Sequence, residues 1–228
     1  MPQIFYVHGS GHTGDSFKDQ AAAFAGSVAL SLPGHPAGAA LETAEDMASW
    51  LASRISDAGT RAVVAGNSLG GAVALQWALD RPDQVAGIVL IGTGARLRVS
   101  PEIFEMLDTK WPTCVDTLVD WSLGPLASPD LRSRTRSWHL EVGAETTRKD
   151  YAACNRFDVM KRLPELQAPV LVVVGSRDQM TPVKYSNFLH EHIPHSVLAV
   201  VPDAGHLVMA EQPAQTNAAL ASFLERLR

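Results

Sequence analysis

Cysteine is nearly absent from this chain: Cys114 and Cys154 are the only two among 228 residues. Two cysteines make no disulfide framework. Neither has metal-ligand spacing, and both read as free thiols of a reducing, cytoplasmic setting. Basic charge is scarce too. Lys and Arg number 19 against 24 Asp and Glu, a net charge of −5, and no basic cluster marks a nucleic-acid footprint. No apolar run approaches the roughly 20 residues that span a bilayer. The opening "MPQIFYVHGS" has no basic region and enters a strand-like run at once, so neither a signal peptide nor a membrane partner is expected. Repeats and low-complexity segments are missing as well. What is there is an ordinary globular composition, 46% hydrophobic and 19% charged, on a chain long enough for one sizeable core.

Six short apolar runs rich in β-branched residues stand out: "QIFYVHG" (3–9), "SVALSLPG" (27–34), "RAVVAG" (61–66), "VAGIVLIG" (85–92), "PVLVVVG" (169–175) and "SVLAVVP" (196–202). They are continuous rather than alternating, as strands buried on both faces of a parallel sheet are. Helical patterns lie between most of them. Met47, Trp50, Leu51 and Ile55 recur at helical spacing, as do Leu220, Phe223, Leu224 and Leu227, with Pro213 near a helix start. The alternation predicts an open α/β sheet with helices on both faces. It is interrupted once. Residues 96–164 carry no strand run but hold Trp111, Trp121 and Trp138, both cysteines and the breaks "KWPT" and "SLGPLASPD". This segment is expected to be a helical cap inserted in a core formed by 1–95 and 165–228.

Chemistry concentrates at the ends of the strand runs. "AGNSLGG" (65–71) sets Ser68 between Gly66 and Gly70, directly after the third run and before the helix-like "AVALQWAL". That is G-x-S-x-G, the pattern of a nucleophile elbow, whose sharp turn leaves no room for side chains at the flanking positions. The helix beginning beneath Ser68 adds partial positive charge where an oxyanion would form. The first run ends in "HGSG", where the backbone N–H of Ser10 can converge with that of Leu69 on one oxygen, each such donor contributing about 3 kcal/mol in a transition state. His8 in that turn reads as structural. "GSRDQMTP" puts Asp178 after the fifth run, and "PDAGHLVMAEQP" puts His206 after the sixth. Imidazole carries protons near neutral pH, and a carboxylate fixes its tautomer. Asp203 is a rival acid, but three residues from His206 it is better suited to shaping the loop. Of the other histidines, His190, His192 and His195 read as solvent-facing and His139 falls in the insert.

Ser68, Asp178 and His206 follow one another in the order Ser, Asp, His, each just past a different strand at one edge of the sheet. Through "HGSG", "GNSLGG", "GSRDQMTP" and "AGHLVMAEQP" the chain resembles the α/β-hydrolase fold family over nearly its whole length. The resemblance implies Ser68 as nucleophile, His206 as base and acid, Asp178 as its orienter, and Ser10 and Leu69 as oxyanion donors, with no cofactor and no metal. Two departures stand out. Most relatives have His before the serine, where this chain has Asn67. Many also have two strands ahead of the "HG" strand, and without them the sheet is expected to run 2-1-3-4-5-6, with Ser68 at the crevice where strand order reverses.

The activity implied is that of a serine hydrolase cleaving small carboxylic esters through an acyl-enzyme. Serine at the elbow excludes an aspartate nucleophile. A C–C bond hydrolase, a hydroxynitrile lyase or a cofactor-free haloperoxidase would use the same triad, and the short "HGSGH" opening also resembles hydroxynitrile lyases and plant methylesterases. A ligand receptor on the hydrolase scaffold would retain the triad as well. Trp111, Trp121 and Trp138 are the candidate pocket residues, as apolar side chains of a flap over Ser68.

Overall fold

The computed structural model describes residues 2–56, 59 and 61–227. Six strands, β1 (Gln3–Val7), β2 (Val28–Leu30), β3 (Ala62–Asn67), β4 (Val85–Ile91), β5 (Val170–Gly175) and β6 (Ser196–Val201), form one sheet in the order β2-β1-β3-β4-β5-β6. Every neighbouring pair is parallel. The expected strand order and parallel sense are both found.

Because successive side chains of a strand point to opposite faces, each apolar run serves two cores. Phe5, Val7, Val64, Ile88, Leu90, Val170 and Val172 face one side, with Met47, Leu51 and Ile55 of α2 (Ala44–Ser56), Val73 and Trp77 of α3 (Leu69–Asp80) and Leu189 of α8 (Val183–His192). Ile4, Tyr6, Val63, Ala65, Val89, Ile91, Leu171 and Val173 face the other. There they meet Phe17 from the turn before α1 (Lys18–Ala23), together with Val208 and Met209 of α9 (Val208–Glu211) and Leu220, Phe223 and Leu224 of α10 (Pro213–Glu225). The short α1 packs against α10. The outer strands differ from the expectation of burial on both faces. β2 has three residues, all half-buried, and β6 is half-buried along most of its length, with Val200 at 45% exposure. Each is an edge strand with one neighbour, and the flanking helices cover it incompletely.

Four helices fill the stretch between β4 and β5: α4 (Pro101–Thr109), α5 (Cys114–Ser122), α6 (Pro129–Val142) and α7 (Ala144–Arg156). Ser100 and Ser128 cap α4 and α6 through their hydroxyls, each followed by a proline that suits the first helical turn. Gly143 separates α6 from α7 at φ +84°, a conformation that costs glycine little. The chain enters and leaves this insert side by side, with Val159 N–H donating to Ala95 O at 2.8 Å. Ile103, Leu107, Cys114, Leu118 and Tyr151 form an apolar centre within it, while Val115, Val119, Leu131 and Trp138 join the core of the sheet. Cys114 and Cys154 are free and buried.

Candidate active site

Ser68 lies between the end of β3 and the start of α3 at φ +54° and ψ −114°. A serine gains nothing intrinsic from that backbone conformation, so the surroundings must impose it. Ser68 N–H donates to Ile91 O at 2.9 Å, while Ser68 O accepts from Gly71 N–H, Ala72 N–H and the Thr93 hydroxyl. A Cβ on Gly66 would stand 2.0 Å from Gly70 O, and one on Gly70 would stand 2.1 Å from Val7 O. Glycine is required at both positions because the helix starts against the backbone of its own strand and of β1.

Asp178 and His206 meet in the loops beyond β5 and β6. His206 Nδ1 lies 2.9 Å from Asp178 Oδ2, and both side chains are almost fully buried. The carboxylate also accepts from the backbone N–H groups of Met180 and Thr181, each at 2.9 Å, and from the Thr181 hydroxyl at 3.0 Å. These donors fix the plane of the carboxylate. With Nδ1 donating to Asp178, Nε2 is left for a further partner. Asp203 is half-exposed, its carboxylate 3.7 Å from Arg177 and its N–H on Ser176 Oγ, which makes it a shaper of the loop.

Two contacts hold His206 that sequence reading missed. Asn67 Nδ2 donates to His206 O at 3.1 Å, and His206 N–H donates to Ser122 O of α5 at 2.9 Å. Glu211 adds a clamp, accepting from Gly205 N–H at 2.9 Å and Gly124 N–H at 2.7 Å. Burial raises the Glu211 carboxyl above its usual range, and these hydrogen bonds pull partly the other way.

The loop after β1 is braced in the same manner. His8 accepts from Leu32 N–H through Nε2 and donates from Nδ1 to Gly9 O, so it is neutral and structural. Burial, with His35 nearby, drives it down to about 3. Ser10 is buried, its hydroxyl 3.7 Å from Cys154 Sγ. Gly11 N–H donates to Asp150 Oδ2 at 2.8 Å, and the same oxygen accepts from His35 Nε2 at 2.9 Å. Nδ1 of His35 faces the carbonyls of Leu32 and Pro33. Three acceptors around one ring require both nitrogens protonated. Burial opposes that charge, but Asp150 and the two carbonyls outweigh it and raise the His35 pKa.

A cavity of about 300 Å³ opens above Ser68, bounded mostly by Leu97, Val99, Ile103, Trp121, Tyr151, Met180 and Tyr185. Of the three tryptophans expected there, Trp121 alone lines it. Trp111 packs between the insert's apolar centre and the sheet core. Trp138 is buried in that core, with Nε1 donating to Asp15 at 3.2 Å. α6 lies against the body of the protein, so its tryptophan anchors the insert. Among the described residues no group of three or more His, Cys, Asp or Glu is arranged to hold a metal ion. No described helix is long and apolar enough to cross a membrane.

A parallel sheet reversing beside β1, a serine elbow after β3 and a buried Asp–His pair past β5 and β6 together characterise one class of enzyme. The chain belongs to the alpha/beta hydrolase family, which it matches over residues 4–219. It is similar to a pimeloyl-[acyl-carrier protein] methyl ester esterase of Chromobacterium violaceum, 26% identical, with 98% of this chain and 94% of that one covered. A 3-oxoadipate enol-lactonase of Acinetobacter baylyi is also 26% identical, with 73% of this chain covered, and the chain spans 64% of that relative's length. The solved structure of a thermophilic esterase is 34% identical, with a TM-score of 0.91, covering 98% of this chain and 90% of its own.

Proposed function

We propose that this alpha/beta hydrolase cleaves small carboxylic esters through an acyl-enzyme on Ser68. The observation that carries the reading is the buried Asp178–His206 pair, joined to the nucleophile elbow through Asn67. In this scheme His206 Nε2 takes the proton of Ser68 Oγ as the oxygen attacks the ester carbonyl, and returns it to the departing alcohol. Asp178 holds the Nδ1–H tautomer. The N–H groups of Ser10 and Leu69 stabilise the oxyanion, Leu69 at the positive end of α3. The named activities of the esterase and lactonase relatives support acyl-oxygen chemistry.

Residues 96–164 act as the cap that shapes the pocket. Its volume and apolar lining favour short to medium acyl groups. The substrate is a small molecule, with no cofactor, nucleic acid or membrane surface needed, and two buried free thiols suit a cytoplasmic enzyme.

The test is turnover of p-nitrophenyl esters graded by acyl length, alongside labelling by a fluorophosphonate probe, for the wild type and Ser68→Ala. Turnover and labelling are expected in the wild type and in the variant neither. Labelling or full activity that survives in Ser68→Ala rules the mechanism out.

A further inference from the structure

Two compartments meet at Ser68. The larger is the apolar cavity of about 300 Å³. The smaller has about 10 Å³ of free space, room for about one water. Its wall is polar: His12, His139, Tyr151 and Asn67 stand with Ser68 and His206 around it. His12 and His139 are 3% and 1% exposed, with ring centroids 4.9 Å apart. None of their four ring nitrogens has a hydrogen-bond partner in the protein. Orphaned buried donors and acceptors cost stability, so a wall built of them points to an occupant that pairs with them. Burial keeps both rings neutral, His139 pushed down to about 4 and His12 well below its usual value, the latter also by its histidine neighbours. A neutral imidazole offers one donor and one acceptor, the complement of a hydroxyl group.

We propose that His12 and His139 hold the water that hydrolyses the acyl-enzyme. The inference rests on the esterase reading and adds to it the residues that receive the second substrate. The water oxygen forms a bond to the acyl carbonyl carbon while one of its protons passes to His206 Nε2. The tetrahedral intermediate then breaks its bond to Ser68 Oγ, which takes that proton back from His206, and the carboxylic acid leaves. His12 and His139 orient the water without exchanging a proton with it. A space one water wide favours water over bulkier alcohols as acyl acceptor.

The experiment is acyl partitioning with a short-chain p-nitrophenyl ester and added methanol, read as the p-nitrophenol burst, the steady-state rate and the ratio of methyl ester to free acid. The wild type should release mainly acid. His12→Leu and His139→Leu should keep the burst, lose about tenfold in steady-state rate as positioning is lost, and raise the methyl ester share. His12→Gln, which still hydrogen-bonds, should restore much of the wild-type ratio. Unchanged rate and ratio in both Leu variants overturn the proposal. So does a change confined to KM, which would make the cavity a subsite for a polar group of the ester. The wild type gives a second readout that does not depend on the variants folding. Transfer to alcohols should fall steeply from methanol to propanol, and a flat or rising series overturns the proposal. A wild type that forms no acyl-enzyme on Ser68 overturns the esterase reading itself, and this inference with it.

Discussion

The side-chain amide of Asn67 donates to the backbone carbonyl of His206 at 3.1 Å and to that of Ile91 at 3.2 Å. The residue before Ser68 is thereby tied both to the loop that carries His206 and to the neighbouring strand. Asn67→Ala would leave the buried His206 carbonyl without its donor, while Ile91 O keeps the Ser68 N–H, costing about 1–3 kcal/mol of stability. The loosened His206 loop should also lower kcat by about tenfold with KM little changed, since small misplacements of a proton carrier are felt in the chemical step. Denaturant melts and ester kinetics measure the two effects. A loss of stability with kcat intact would make Asn67 a purely structural tie.

The proposed mechanism assigns Asp178 and Asp203 different roles. Asp178→Asn keeps the shape but removes the acceptor that selects the Nδ1–H tautomer, and a loss of up to about 10⁴ in kcat is expected. Asp203→Asn alters a half-exposed contact with Arg177 and should change kcat by less than about threefold. Ester kinetics on the two variants decide the assignment, and the reverse pattern would sink it.

The features legible in the sequence are the local ones. Strand runs, the glycines around Ser68 and the loops bearing Asp178 and His206 each announce themselves within about eight residues. The bracing of the site was hidden because its partners are remote in the chain. Asp150 is 139 residues from Gly11 and 115 from His35, and neither spacing carries a pattern. His12 and His139 acquire meaning only when α6 folds over the first loop. Trp138 misled for a related reason: aromatic residues in an insert fit a pocket wall as well as an anchor, and only the packing of α6 distinguishes them.

His35 and Asp150 give stability a definite pH dependence. The folded pKa of His35 is raised above 6.5, so the pair contributes fully below that value. The contribution is lost as pH rises through the higher folded-state value. The buried neutral rings of His8, His12 and His139 have lowered values, so their contribution is present above 6.5 and is lost as pH falls through the folded values, about 3 for His8 and about 4 for His139. Thermal melts across pH should therefore pass through a maximum between the two limbs. Asp150→Asn should lower stability by about 3–5 kcal/mol at pH 6 and flatten the alkaline limb. An alkaline limb of unchanged steepness in that variant would refute the role given to the pair.

On the proposed reading, acyl specificity depends on which tryptophan faces the cavity. Trp121 stands in the wall of the 300 Å³ space with Ile103 and Met180, whereas Trp138 is packed 5% exposed in the sheet core. Lengthening the acyl chain should gain up to about 0.8 kcal/mol in kcat/KM per buried methylene until the pocket is full, then reverse. Trp121→Ala removes part of the wall and should move that turning point to longer chains, while Ser68 stays reactive toward a small probe. Trp138→Ala should cost about 3–5 kcal/mol of stability through the cavity it opens, leaving the optimal chain length where it was. Chain-length profiles and melting curves for both variants make the comparison. If the Trp138 change moves the optimum and the Trp121 change does not, the larger cavity is not where the acyl group lies.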